Sequence, residues 1–156
     1  STFIFDQPNG KVYTRWQTRQ RPVEYRTLDI TRNGMDAISL YFNMRSVDDE
    51  EIKEGFTRDL EMVLEDTVRY LKFRYEGREV KKIKNLGRFN TLKFRCKIAT
   101  SDGYAFTDGT EFEVWISDDK NKIPLYIQSP IKVGSVQAYL SGYEGLRYPL
   151  DSFIKK

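Results

Sequence analysis

Two adjacent carboxylates, Asp118 and Asp119, stand between an apolar run and an Ile-Pro pair in the stretch VWISDDKNKIP. Such a pair has two chemical uses, as ligands for a divalent cation or as an acid–base dyad for hydrolysis. A calcium or magnesium site needs more oxygen donors at spaced positions, and the chain has no D-x-D-x-D loop. A hydrolytic dyad needs carboxylates opposed across a cleft, which neighbours on a chain reversal do not provide. Turn chemistry accounts for both acids. A three-residue hairpin loop runs through a type I turn into a left-handed residue. Asp119 and Lys120 fit the turn, and Asn121 fits the left-handed position, which Asn tolerates well. Asp118 is then placed to accept backbone N–H groups ahead of it.

This loop predicts that Ser117 pairs with Ile123, Trp115 with Leu125 and Val114 with Tyr126. Trp115, Ile123, Leu125 and Ile127 then share one face, and Phe112, Val114, Ile116 and Tyr126 the other. Both faces are apolar and need covering.

Other reactive chemistry is sparse. The chain has no histidine, which removes Ser-His and Cys-His nucleophile pairs and most catalytic zinc sites. The one cysteine, Cys96, forms no disulfide within the chain and reads as a small buried hydrophobe on a strand. The basic runs KKIK (Lys81–Lys84) and RQR (Arg19–Arg21) read as solvated faces rather than phosphate or anionic-lipid contacts. With 26 Lys and Arg against 23 Asp and Glu, the net charge of +3 does not call for nucleic acid. No metal, cofactor or catalytic residue is expected, and no apolar run is long enough to span a bilayer.

The elements that must position these residues are mostly strands. The chain is rich in tyrosine and phenylalanine, ten of each in 156 residues, which favours pleated structure. In TLKFRCKI, Leu92, Phe94, Cys96 and Ile98 alternate with Lys93, Arg95 and Lys97, the period of a half-buried strand. Phe112, Val114 and Ile116 share a face, as do Val136, Ala138 and Leu140. Turns separate the runs: QPNGK with the hairpin pair Asn-Gly, NLGR around Gly87, SDG at Ser101–Gly103 and TDG at Thr107–Gly109. Residues 35–46, MDAISLYFNMRS, carry the helical spacing Ile38, Tyr41, Phe42, Arg45. Apolar flanks predict a helix buried almost all round. Residues 56–75 satisfy both a helical stripe and strand alternation, so periodicity leaves that segment open.

The runs VWISDDKNKIPLYIQSPIKVGSVQAYLSGYEGLRYP, YEGREVKKIKNLGRFNTLKF and DAISLYFNMRS resemble the bacterial domain-of-unknown-function family numbered 3108. The likeness runs from about Lys11 onward and is most specific at Trp115–Pro124 and Val133-Gly134-Ser135. It implies a secreted or periplasmic β-rich protein, and it brings no catalytic residues. It implies strands with a turn at Glu65-Asp66 for residues 56–75. It also implies that strands of a longer precursor precede Ser1. The hairpin is similar as well to that of bacterial lipoprotein carriers, half-open barrels that hold acyl chains.

The expectation is one mainly β domain over residues 1–156: an antiparallel curved sheet or incomplete barrel with one short buried helix. The expected role is a non-catalytic envelope protein binding a lipid, another hydrophobic ligand or a cell-surface component. Trp115, Tyr126 and Tyr139 are the aromatic positions that either line its cavity or simply pack. The alternatives are an assembly module that self-associates through a sheet edge, and a carboxylate-based glycan enzyme.

Overall fold

The computed structural model of the chain describes residues 1–31, 33–64, 67–100, 111–130 and 134–155. Among them the chain forms eleven strands and one α-helix. In order these are β1 (Thr2–Asp6), β2 (Lys11–Thr18), β3 (Arg21–Asp29), β4 (Gly34–Met35), α1 (Ala37–Arg45), β5 (Thr57–Leu64), β6 (Thr67–Ile83), β7 (Gly87–Thr100), β8 (Glu111–Ser117), β9 (Pro124–Pro130), β10 (Ser135–Tyr139) and β11 (Phe153–Lys155). One sheet has the order β1-β2-β3, the other β10-β9-β8-β7-β6-β5-β4, with β11 beside β7. Each order has two ends, so neither sheet closes into a barrel among the described residues. Contacts divide the chain into two compact units: Ser1–Met44, Asp59–Lys72 and Ile98–Thr107, and Arg45–Arg58, Phe73–Lys97 and Asp108–Lys156.

In the first unit β1 and β2 form a hairpin with Asp6 opposite Lys11. The Asn-Gly signal marks the reversal, but only Gly10 takes a positive φ, +63°. Pro8 sits early in a 3-10 turn over Gln7–Asn9, and the Asp6 carboxylate accepts from the Asn9 backbone and side chain. That cap lengthens the loop beyond the two-residue turn for which Asn-Gly is best known. The unit's core joins Val12, Ile30, Val63 and Val68, flanked by Phe3, Phe5, Leu28 and Tyr70. Buried Glu61 is tied to the Thr31 backbone N–H at 3.0 and 3.1 Å and to its hydroxyl.

The helix is present but is not the buried element its sequence predicts. It spans Ala37–Arg45 and buries only Leu40, while Ile38 and Phe42 are 71% and 57% exposed. A nine-residue helix that packs along one narrow stripe leaves the apolar residues of its other side in solvent. Its start is set by Asp36. That carboxylate accepts from the Ile38 and Ser39 N–H groups at 2.8 Å each and from the Ser39 hydroxyl at 3.0 Å.

Residues 57–64 and 67–83 are strands. The turn expected at Glu65-Asp66 lies outside the described residues, as do those expected at 101–103 and 107–109 and residue Val133 of the family motif. Pairing into a sheet here overrides a helix propensity worth only tenths of a kcal/mol per residue (~0.1–0.7). Along β7 Leu92, Phe94 and Cys96 are buried as the sequence predicts, whereas Ile98, expected on the same face, is half-buried and its neighbour Ala99 is buried. Phe94 contacts Tyr75 and Phe56 at ring-centre distances of 5.5 and 6.4 Å, and Phe73 meets Phe112 edge-on at 6.1 Å.

Hydrogen bonds from Ser39 and Ile38 hold the Asp36 carboxyl below its ordinary value. A lowered folded pKa contributes stability that is complete above the unfolded value and fades as pH falls through the folded one. Asp36→Ala is therefore expected to cost about 1 kcal/mol at neutral pH, with the wild-type and variant urea midpoints converging in acid.

Candidate functional site

The β8–β9 corner lies in the second unit, and its sequence reading is off by one residue. The turn closes with the Lys122 N–H on the Asp119 carbonyl at 3.2 Å, and the left-handed residue is Lys122, at φ +45°, not Asn121. Asn121 is fixed by other contacts. It is 2% exposed, donates to the Tyr148 and Pro149 carbonyls at 3.0 Å each and accepts the Tyr148 N–H at 3.1 Å. Its own carbonyl accepts Arg45 Nε at 2.8 Å. A buried amide with this many partners is costly to move, so the left-handed conformation passes to Lys122, whose ammonium lies 2.7 Å from Asp49.

The two aspartates have separate structural tasks. Asp119, not Asp118, receives the loop's donors, Ser117 Oγ at 3.0 Å and Asn121 N at 2.9 Å, and also the N–H of Ser152 from the C-terminal segment at 3.3 Å. Asp118 accepts Arg78 Nε at 2.8 Å. Among the described residues no group of three or more His, Cys, Asp or Glu side chains is placed to hold a metal ion. Cys96 is buried, and burial pushes its thiol far above the ordinary value, so it lacks the thiolate character of a nucleophile.

A register shift between Trp115 and Ile116 changes which side chains meet. Trp115 stands opposite Tyr126 and Val114 opposite Ile127, while Ile116 faces Pro124. The expected pairs, Trp115 with Leu125 and Val114 with Tyr126, are each displaced by one. Directly opposed residues share a face, and a one-residue slip transfers a side chain to the other face. Trp115 and Tyr126, expected on opposite faces, are therefore neighbours, with ring centres 5.1 Å apart.

The row continues on both sides. Lys93 on β7 is opposite Trp115, and Tyr139 on β10 is opposite Tyr126. The three aromatic positions singled out in the sequence thus form one line across β8, β9 and β10. Exposure rises along it: Trp115 is 3% exposed, Tyr126 half-buried and Tyr139 43% exposed. Trp115 is a floor rather than a contact surface. Its indole N–H donates to the Glu79 carboxylate, and Lys81 Nζ lies 3.8 Å from its ring centre and 4.5 Å from that of Tyr126. Lys93 Nζ lies 5.0 Å from the Trp115 ring and 2.8 Å from Glu113. Arg95 pairs with Glu113 and Glu111 at 3.1 and 3.2 Å. Lys84 Nζ stands 5.6 Å from the Tyr139 ring centre. These cation–aromatic contacts involve two lysines of the KKIK run, read from sequence as merely solvated. Nothing local in that run foretells which rings lie across from its lysines.

Beside the row, Ile83, Phe89, Ile123 and Leu125 form a core flanked by Leu86, Tyr126, Leu140, Leu146 and Leu150. Cover for this apolar cluster comes from the C-terminal segment. Leu140, Leu146 and Leu150 pack there, and Phe153 meets Phe89 edge-on at 5.3 Å.

Residues 1–141 match the family described as "Protein of unknown function (DUF3108)", and the chain belongs to it. The match begins at Ser1 rather than near Lys11 and stops before the GYEGLRYP stretch. No curated protein and no solved structure matches the chain. No helix among the described residues is long and apolar enough to cross a membrane.

Removing the two acids should have unequal effects. Asp119→Ala leaves three donors without their acceptor and is expected to cost roughly 2–3 kcal/mol in urea unfolding. Asp118→Ala breaks a partly exposed pair and should cost less than about 1 kcal/mol.

Proposed function

We propose that this member of the family is a non-catalytic cell-envelope protein that binds an extended surface component along the Trp115–Tyr126–Tyr139 row. The observation that carries this reading is the alignment of three aromatic side chains on adjacent strands, graded from a buried floor to an exposed rim. Rings fixed by a sheet present flat apolar faces at little cost in conformational entropy. They suit a polymer with its own flat, weakly apolar faces, such as the C–H faces of sugar rings. The envelope location rests on the family resemblance. The non-catalytic reading is supported by the engagement of Asp118 with Arg78 and of Asp119 with loop donors.

Titration of Trp115 fluorescence with defined soluble glycans tests the site. Tyr139→Ala is expected to weaken binding by roughly tenfold, the loss of one stacking contact, with the unfolding midpoint nearly unchanged. Unaltered affinity in that variant, or the absence of binding to any glycan tried, would contradict the reading.

A second role, self-association, is favoured by β10. Among the described residues its only neighbour is β9, and Ser135–Tyr139 holds no charge and no proline, the usual protections of an edge. The Leu140 N–H donates to the Leu125 carbonyl at 2.9 Å. By antiparallel alternation the backbone groups of Gln137 and Tyr139 then point away from β9. Gln137→Pro removes one outward donor and spares the β9–β10 ladder. Sedimentation equilibrium should show dimers of the wild type at high concentration and monomers of the variant. A wild type monomeric throughout would exclude this role.

A further inference from the structure

We propose that Lys81 and Lys84 make the aromatic row selective for acidic polysaccharides, those with carboxylates spaced along a sugar chain. The inference rests on the reading of the row as a glycan-binding surface and adds its charge selectivity. Lys81 and Lys84 differ from the other cations of this face. Lys93 is neutralised by Glu113, and Arg95 by Glu113 and Glu111. Glu79, the acid nearest in sequence, is engaged by the Trp115 indole N–H. Among the described residues neither Lys81 nor Lys84 has a carboxylate within ion-pairing distance, yet both ammonium groups lie over rings of the row. A cation held on an aromatic face keeps most of its charge available to a ligand anion. A sugar lying on Tyr126 and Tyr139 would bring its substituents to these two ammonium groups.

The acids of the same face decide between kinds of polyanion. Glu79, Glu111 and Glu113 lie among the cations, so a dense plane of phosphates, such as an anionic membrane, meets repulsion there. A strand with separated carboxylates can place its charges at Lys81 and Lys84 and leave neutral hydroxyls over the glutamates. A polyuronate therefore matches the pattern better than a lipid surface.

The test compares polygalacturonate oligomers, a neutral dextran of similar length and phosphatidylglycerol vesicles, each titrated into the full chain at low salt. The wild type is expected to bind the polyuronate more tightly than dextran. Lys81→Gln and Lys84→Gln should each reduce that preference by a few-fold, to roughly tenfold when combined, as for one or two exposed charge pairs. Binding of dextran should be retained. Lys84 is exposed, so its variant stays informative if Lys81→Gln disturbs folding. Lys97→Gln changes the net charge equally on an exposed residue of β7 and should leave the preference intact. Equal affinity for the two polymers, an equal effect of Lys97→Gln, or equally tight vesicle binding would each overturn the proposal while leaving the glycan reading of the row standing. Failure of every glycan to bind would overturn both.

Discussion

The register of β8 against β9 is the constraint on which this site depends. Side chains on a strand alternate with a period of two, so the one-residue shift between Trp115 and Ile116 decides which residues are neighbours. It sets Trp115 beside Tyr126 and, through the β9–β10 pairing, in line with Tyr139. It also frees Leu125 to join Ile83, Phe89 and Ile123 in the core under the C-terminal segment. The shift serves both packing and surface, as bulges do when they re-aim side chains.

The corner that ends β8 holds this register in place. Ser117 closes it twice, its N–H donating to the Ile123 carbonyl at 2.9 Å and its hydroxyl accepting the Ile123 N–H at 2.9 Å. Asn121 joins the corner to residues 148–149, and Asp119 joins it to Ser152. The C-terminal segment therefore packs its leucines on the sheet and satisfies the polar groups of the loop. The acid pair that first draws attention in the sequence is part of this bracing, one member turned inward to the loop and the other outward to an arginine.

Most of the architecture was legible in the residues. Alternation over Leu92, Phe94 and Cys96 gave the buried face of β7, and turn chemistry gave the reversals at Gly10 and Gly87. The ambiguous stretch after the helix yielded to family resemblance, because strand and helix periods coincide over Phe56, Leu60 and Leu64. Two features were hidden for physical reasons. The helix has apolar residues around its circumference, but how much of it is covered depends on partners distant in sequence, and Ile38 and Phe42 have stayed in solvent. The β8–β9 register was misread because local propensity favours Asn121 at the left-handed position, whereas long-range bonds to Tyr148 and Pro149 claim that side chain. Trp115, Tyr126 and Tyr139 were identifiable as aromatic strand positions, but their alignment follows from the one-residue shift between Trp115 and Ile116, which local pattern does not show. Lys81 and Lys84 were visible only as part of a basic run.

The most direct test of this account is a nuclear Overhauser measurement of Hα–Hα contacts between β8, β9 and β10 in solution. Opposed residues that do not exchange backbone hydrogen bonds bring their α-carbons to about 4.5 Å. The account predicts strong contacts between Val114 and Ile127 and between Tyr126 and Tyr139. A strong Hα contact between Val114 and Tyr126 would restore the unshifted register, send Trp115 and Tyr126 to opposite faces and remove the row.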